Sequence, residues 1–347
     1  MTQAWRTVPS DRYLDEALQL TELEAERLHR VLDQLPDKIK DGHTHMAERS
    51  QVTSDFPDAL MLHPVSSYPA YGYEAALIAR TTLWPGKVVG SLRMAHAFRG
   101  FDYRSINQGL ARTVATHGDV FATYGLPDDI EYTIESLKAE AVVALKMYYS
   151  YRDPPFTEIR EIFPHDVLRT AEAKRVPIIL HLPNPLPANV RELDRLVATY
   201  PALRIVLAHI GGHGAHYCSE AIVKSLHELA VHPNIFADTA LVFDEALVSA
   251  ALQAFGPQRV LFGTDEPLSL IRVVNYNHPM LGPRFYAPRY HWAQEEDAPT
   301  EVRTRRPELV HLLQLEAVTS ACLQSGGDAT IQAVFRSNAT NLYRFNA

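Results

Sequence analysis

The chain has 347 residues, 46% of them hydrophobic and 21% charged, enough apolar material for one large core or two smaller ones. A formal net charge of -8 removes the electrostatic basis for binding nucleic acid or an anionic membrane surface. Two cysteines, Cys218 and Cys322, are too few for a disulfide framework, and no apolar run reaches the ~18 residues of a membrane-spanning helix.

Residues Met1 to Arg30 are polar and rich in Glu, Asp and Arg, unlike a secretory signal, and the expected compartment is the cytoplasm. Between Tyr13 and Leu35 the apolar residues Leu14, Leu18, Leu20, Leu23, Leu28, Val31 and Leu32 recur among charges with helical spacing. Pro36 ends that pattern. Residues 1–37 are therefore expected as an N-terminal helical extension, and 38–347 as one domain.

From Lys38 onward short β-branched runs alternate with longer helical stretches. The expected strands are Lys38–His45, Lys87–Met94, Asp119–Thr123, Val142–Met147, Pro177–His181, Arg204–His209, Asn234–Asp238 and Arg259–Asp265. Helices are expected over Pro164–Arg175, Val190–Tyr200, Ser219–Val231 and Asp244–Phe255. The steps from Lys146 to His181, His209, Asp238 and Asp265 are 35, 28, 29 and 27 residues, the size of one strand–helix unit. Eight such units predict a parallel (β/α)8 TIM barrel, with a doubly wound sheet as the alternative. Gln51–Leu83 interrupts the rhythm as an insertion of mixed character. Ser269–Pro299 holds Tyr276, His278, Phe285, Tyr286, Tyr290, His291 and Trp292 with four prolines, and reads as a long loop after strand 8, either a lid or specificity loop over the site or a packed surface excursion. Arg306 to Leu342 reads as helices that close the barrel.

The chemistry concentrates at the ends of the expected strands. In Asp41-Gly42-His43-Thr44-His45 the two histidines share one face of a strand, about 6.6 Å apart along it, and can converge on one cation. Alone, a His-x-His pair among 16 histidines is weak evidence for a metal and reads more readily as two surface or cap residues. His181, His209 and Asp265 end the fifth, sixth and eighth runs, and Lys146 ends the fourth, so all would face the rim where barrel active sites form. Arg93 ends the second run, with His96 and Arg99 beyond it, and could hold a substrate carboxylate or be a solvated loop residue. Tyr148, Tyr149 and Tyr151 could line the pocket or pack the fourth loop. His213 and His216 follow Gly211-Gly212 and would sit near a helix start, His213 as a substrate contact. Glu266 and Asn184 are candidates to support the ligands.

Asp-Gly-His-Thr-His, Ile-Leu-His-Leu-Pro-Asn, Val-Leu-Ala-His-Ile-Gly-Gly and Val-Leu-Phe-Gly-Thr-Asp-Glu-Pro resemble the signature segments of the amidohydrolase superfamily. The sequence is most similar to the amidohydrolase-related branch, which includes aminocarboxymuconate-semialdehyde decarboxylase-like enzymes. Ser337–Tyr343 resembles that branch's C-terminal asparagine–alanine segment, so the resemblance spans 38 to 345. It implies metal ligands at His43, His45, His181 and Asp265, Asp265 also handling the proton of a metal-activated water, and an acid/base or carbonyl-polarising role for His209. It implies one divalent ion, Zn2+ with Mn2+ as the alternative. Lys146 would be a substrate contact or ion-pair partner, or a carbamylated bridge between two metals as in binuclear relatives. The expected activity is hydrolysis of a C–N or C–O bond in a small carboxylated or aromatic molecule. Non-oxidative decarboxylation on the same scaffold is the alternative, and a barrel that binds without turnover the third reading. The expected partner is a small-molecule substrate, with no nucleic acid and no membrane; self-association into a homo-oligomer is left open.

Overall fold

The computed structural model describes residues 14, 17–53, 71–96, 100–114, 117–212, 217–280, 282–287 and 298–345. The β-branched runs become β1 (Lys38–His45), β2 (Val88–Met94), β3 (Val120–Tyr124), β4 (Val142–Met147), β5 (Ile178–Leu180), β6 (Ile205–Leu207), β7 (Ile235–Asp238) and β8 (Val260–Leu261). They pair in parallel, in sequence order, in one eight-stranded sheet. The chain beyond β8 turns back onto β1. The Gly42 N–H donates to the Phe262 carbonyl at 2.8 Å, Asp265 N–H to His43 at 2.8 Å and His45 N–H to Glu266 at 2.6 Å. These bonds close the sheet, and with helices between the strands the architecture is a (β/α)8 TIM barrel, as the spacing predicts.

Helices stand where the periodicity places them, at His165–Lys174, Leu186–Thr199, Glu220–Leu229 and Glu245–Phe255. The barrel interior is filled by Leu92, Met94, Ala144, Ile179, Val206 and Leu261, joined by Ala339, Leu342 and Tyr343 of the C-terminal helix Asn338–Tyr343. The asparagine–alanine segment is thus a packed floor. Asn338 Nδ2 donates to the Pro257 and Val260 carbonyls at 2.7 Å each, satisfying acceptors where β8 enters the barrel. Gly42 lets this floor approach, since a Cβ there would lie 3.0 Å from the Phe262 carbonyl oxygen and 3.3 Å from the Tyr343 ring.

Two expectations change. The N-terminal helix does not run unbroken from Tyr13 to Leu35: α1 spans Glu22–Leu32. Thr21 caps it, its hydroxyl accepting from Glu24 N–H at 3.1 Å while Glu24 accepts the Thr21 N–H at 2.9 Å. That reciprocal capping box starts a new helix where the apolar pattern alone continues through. α1 is tied to later chain by Arg27, which pairs with Glu308 and Glu316, and by Glu24, 2.6 Å from Arg272.

The segment after strand 8 is not a plain loop. β9 (Arg272–His278) pairs antiparallel with β10 (Gly282–Tyr286) and β11 (Glu308–Leu309). Pro283 is accommodated because β10 is an outer strand of this sheet, where a missing N–H need not break a ladder. The sheet packs toward the chain leaving β6 and β7: Phe285 meets Phe243 at 5.9 Å between ring centroids, and the Tyr217 hydroxyl donates to Asn275 at 3.2 Å. Tyr290, His291 and Trp292 lie outside the described residues, as does 54–70 of the Gln51–Leu83 insertion, whose end is the helix Tyr73–Leu83. No helix among the described residues is long and apolar enough to cross a membrane.

Candidate active site

Of the expected ligands only His43 and His45 lie within a strand. His181 follows β5 by one residue, His209 sits in the tight turn Ala208–Gly211 after β6, and Asp265 lies four residues beyond β8. The shortening follows from barrel closure, since the last residues of each run leave the sheet to converge over its mouth. His209 and Ile210 have φ of 56° and 54°, and Asp265 has 63°. Left-handed backbone at non-glycine residues costs about 1–3 kcal/mol each and gathers at functional sites. Gly263 makes the crossing of β1 feasible, because a Cβ there would stand 2.7 Å from the His43 Cβ.

His43, His45 and Asp265 converge, with ligand atoms within 4.8 Å of one another and all three buried. Nε2 of His45 is 3.1 Å, and Nε2 of His43 3.5 Å, from Oδ1 of Asp265. The other ring nitrogens fix the protons. Nδ1 of His45 faces the Ala95 carbonyl and Nδ1 of His43 the Asp238 carboxylate, each at 2.7 Å, and both must donate to acceptors that carry no proton. In neutral rings both Nε2 atoms then present lone pairs to a carboxylate oxygen. Nε2 of His43 and Oδ1 of Asp265 make no hydrogen bond among the described residues, although both are buried. Two such nitrogens and a carboxylate oxygen facing one another are a donor set that suits a cation between them.

His209 lies against this group, its ring centroid 5.2 Å from that of His43 and, edge to face, 4.8 Å from that of His181. The structure therefore brings His181 beside His209, and the close three-residue group does not include it. Nδ1 of His209 donates to the Ala240 carbonyl at 2.7 Å, which leaves its Nε2 bare as well. Burial lowers the pKa of both His43 and His209, so the neutral imidazoles persist.

Lys146 is 1% exposed, and burial pulls it down to about 8 against the opposing charges of Asp238 and Asp265. Among the described residues its ammonium has no ion pair; it lies 5.8 Å from the centre of the Tyr148 ring. Tyr148 and Tyr149 flank His181 at 4.7 and 5.4 Å, forming an aromatic wall on the β4–β5 side.

Arg93 is not a solvated loop residue. It is 1% exposed within β2, with Nε 3.2 Å from Asp119 and Nη1 3.3 Å from Glu266. Burial alone would lower its pKa, but these two carboxylates raise it, and a guanidinium so engaged is not free to clamp a substrate. Glu266 also accepts from the Tyr71 hydroxyl at 2.7 Å, which makes it a support for the loop carrying Asp265. Asn184 is half-buried and donates to the Thr157 carbonyl at 2.9 Å. His213, His216 and Arg99 lie outside the described residues.

Two acids escaped the sequence reading. Asp41 accepts from the Thr264 hydroxyl at 2.6 Å and from the backbone N–H groups of Thr264 and His43, binding β1 to the β8 exit. Burial pushes its carboxyl up to about 7, although the Thr264 hydrogen bonds oppose the rise. Asp238 supports both His43 and the His209 backbone. It ends the expected run Asn234–Asp238 as the other site residues end theirs, so the same rule applies to it.

The family model described as amidohydrolase matches residues 41–345. No match to a curated protein sequence is found. Among solved structures, an amidohydrolase from Burkholderia multivorans with bound zinc is similar at TM-score 0.60 and 14% identity, covering 89% of this chain and 99% of that one. A dihydroxybenzoic acid decarboxylase from a Polaromonas species, with bound manganese and an inhibitor, is similar at TM-score 0.53 and 16% identity, covering 90% and 98%. A probable 2-pyrone-4,6-dicarboxylic acid hydrolase from Acinetobacter baumannii is similar at TM-score 0.52 and 14% identity, covering 88% and 99%. The family match spans nearly the whole barrel, floor helix included, and the chain is an enzyme belonging to the amidohydrolase family.

Proposed function

We propose that the chain is a metal-dependent hydrolase acting on a C–N or C–O bond of a small anionic, carboxylated or aromatic molecule. The observation that carries this reading is the meeting of three bare acceptors, Nε2 of His43, Nε2 of His45 and Oδ1 of Asp265, in a buried site. One Zn2+ suits two imidazoles and a carboxylate, with His181 completing the set; Mn2+ is the alternative supported by the structural relatives. Such an ion would supply Lewis acidity and lower the pKa of water.

The protein's own groups supply the rest. The bare Nε2 of neutral His209 is a proton acceptor, and Asp265 is a second one beside it. A proton acceptor suits the activation of water, whereas decarboxylation needs a proton delivered to carbon. Lys146, the buried cation without an ion pair among the described residues, is the contact for a substrate anion. Tyr148 and Tyr149 offer flat apolar surface for a planar substrate.

A panel of small carboxylated lactones, amides and aromatic acids, with CO2 release followed in parallel, tests the reaction type. Hydrolytic turnover of at least one member, lost in His181→Ala, is the expected outcome. CO2 release abolished by His181→Ala, with no hydrolytic product from any member, would assign the site to decarboxylation.

A further inference from the structure

Asp238 is the last residue of β7 and is fully buried, and its two carboxylate oxygens serve different partners. Oδ2 accepts from Nδ1 of His43 at 2.7 Å. Oδ1 accepts two backbone N–H groups, from His209 at 2.8 Å and from Ala240 at 3.1 Å. One carboxylate thus reaches β1 on one side and the His209 turn on the other. That turn carries two consecutive left-handed residues, His209 and Ile210, and needs holding. The Asp238 bond holds the His209 backbone while the Ala240 carbonyl holds its ring.

We infer that Asp238 is a positioning residue whose Oδ2 sets the ring tautomer of His43 and whose Oδ1 fixes the backbone turn that presents His209. The inference rests on the reading of His43 as a metal ligand. It goes beyond that reading by separating two functions in the two oxygens of one side chain.

An amide separates them. In Asp238→Asn the two backbone donors require the amide oxygen at the place of Oδ1, because an NH2 there would face two N–H groups. The NH2 must then occupy the place of Oδ2 and donate to Nδ1 of His43. That nitrogen becomes an acceptor, and the ring proton moves to Nε2, the atom that faces Asp265. The His209 turn keeps its acceptor throughout. In Asp238→Ala both functions are lost.

The test uses the full chain stripped of metal. Two-bond 15N–1H correlation on histidine-labelled protein at neutral to mildly alkaline pH, with His43 assigned by substitution, reads the tautomer. Zinc titration against a chromophoric chelator reads affinity. Wild-type His43 is expected to carry its proton on Nδ1 and Asp238→Asn on Nε2, with zinc affinity about 10–100-fold weaker in the variant. Asp238→Ala is expected to lose that affinity and also to unfold at a lower temperature than Asp238→Asn. A wild-type His43 protonated on Nε2 would overturn the inference even if the variants failed to fold, and so would an Asp238→Asn protein with wild-type zinc affinity. A wild-type chain that binds no zinc, but shows the Nδ1 tautomer, would instead overturn the ligand reading.

Discussion

Arg93→Met is expected to destabilise the fold by about 3–5 kcal/mol, a large share of the 5–15 kcal/mol by which a domain is stable. The guanidinium lies inside the barrel wall between Asp119 and Glu266, with 1% exposure. Asp119 would retain Arg80, whose Nη2 lies 3.0 and 2.9 Å from its oxygens, and the Ser91 N–H at 2.8 Å. Glu266 would retain only the Tyr71 hydroxyl among the described side chains, and a buried carboxylate without its counter-charge is costly. The damage would reach the site, because the Glu266 carbonyl accepts the His45 N–H and Glu266 adjoins Asp265. Urea unfolding measures the loss. A change below about 1 kcal/mol would mean that these ion pairs contribute no more than exposed ones do.

His209→Asn is expected to lower turnover by roughly 100-fold or more while the bound metal is kept. The imidazole stands against both His43 and His181 but outside the close group formed by His43, His45 and Asp265. Its Nδ1 is committed to the Ala240 carbonyl, so the remaining nitrogen is the one that can exchange a proton with substrate or water. Metal content per chain and kcat measured on the same preparation separate the two roles. Metal loss equal to that of His181→Ala would make His209 a ligand.

The barrel was legible because its strands are short β-branched runs at near-constant spacing, and a chain that repeats one unit announces the unit. The ends of those runs were less legible. Asp265 lies beyond β8 because the Phe262 N–H goes to the Val334 carbonyl and the Thr264 and Asp265 N–H groups bond to Asp41 and His43 of β1, partners far away in sequence. The sheet of β9, β10 and β11 was hidden for a similar reason. Prolines and scattered aromatics read as a loop, and only the distant pairing of Glu308 with Val273 shows a third strand. Within the site, residue type and strand-end position singled out His43, His45 and Asp265, which converge. The same rule singled out Arg93, whose guanidinium is held between Asp119 and Glu266, because strand position does not tell which partners a long side chain meets. Thr21 held the signal that divides the N-terminal helix, in its Thr-x-x-Glu spacing, but the apolar period runs across it.

The acceptors of His43, His45 and Asp265 face one another as the ligands of a cation would. Elemental analysis of the full chain, expressed with ample zinc and manganese and then dialysed, measures this most directly. About one equivalent of divalent metal per chain is predicted, falling to a small fraction in His43→Ala, His45→Ala and Asp265→Ala. Metal-free protein that turns over substrate at full rate, or the same metal content in those three variants as in the parent, would contradict it.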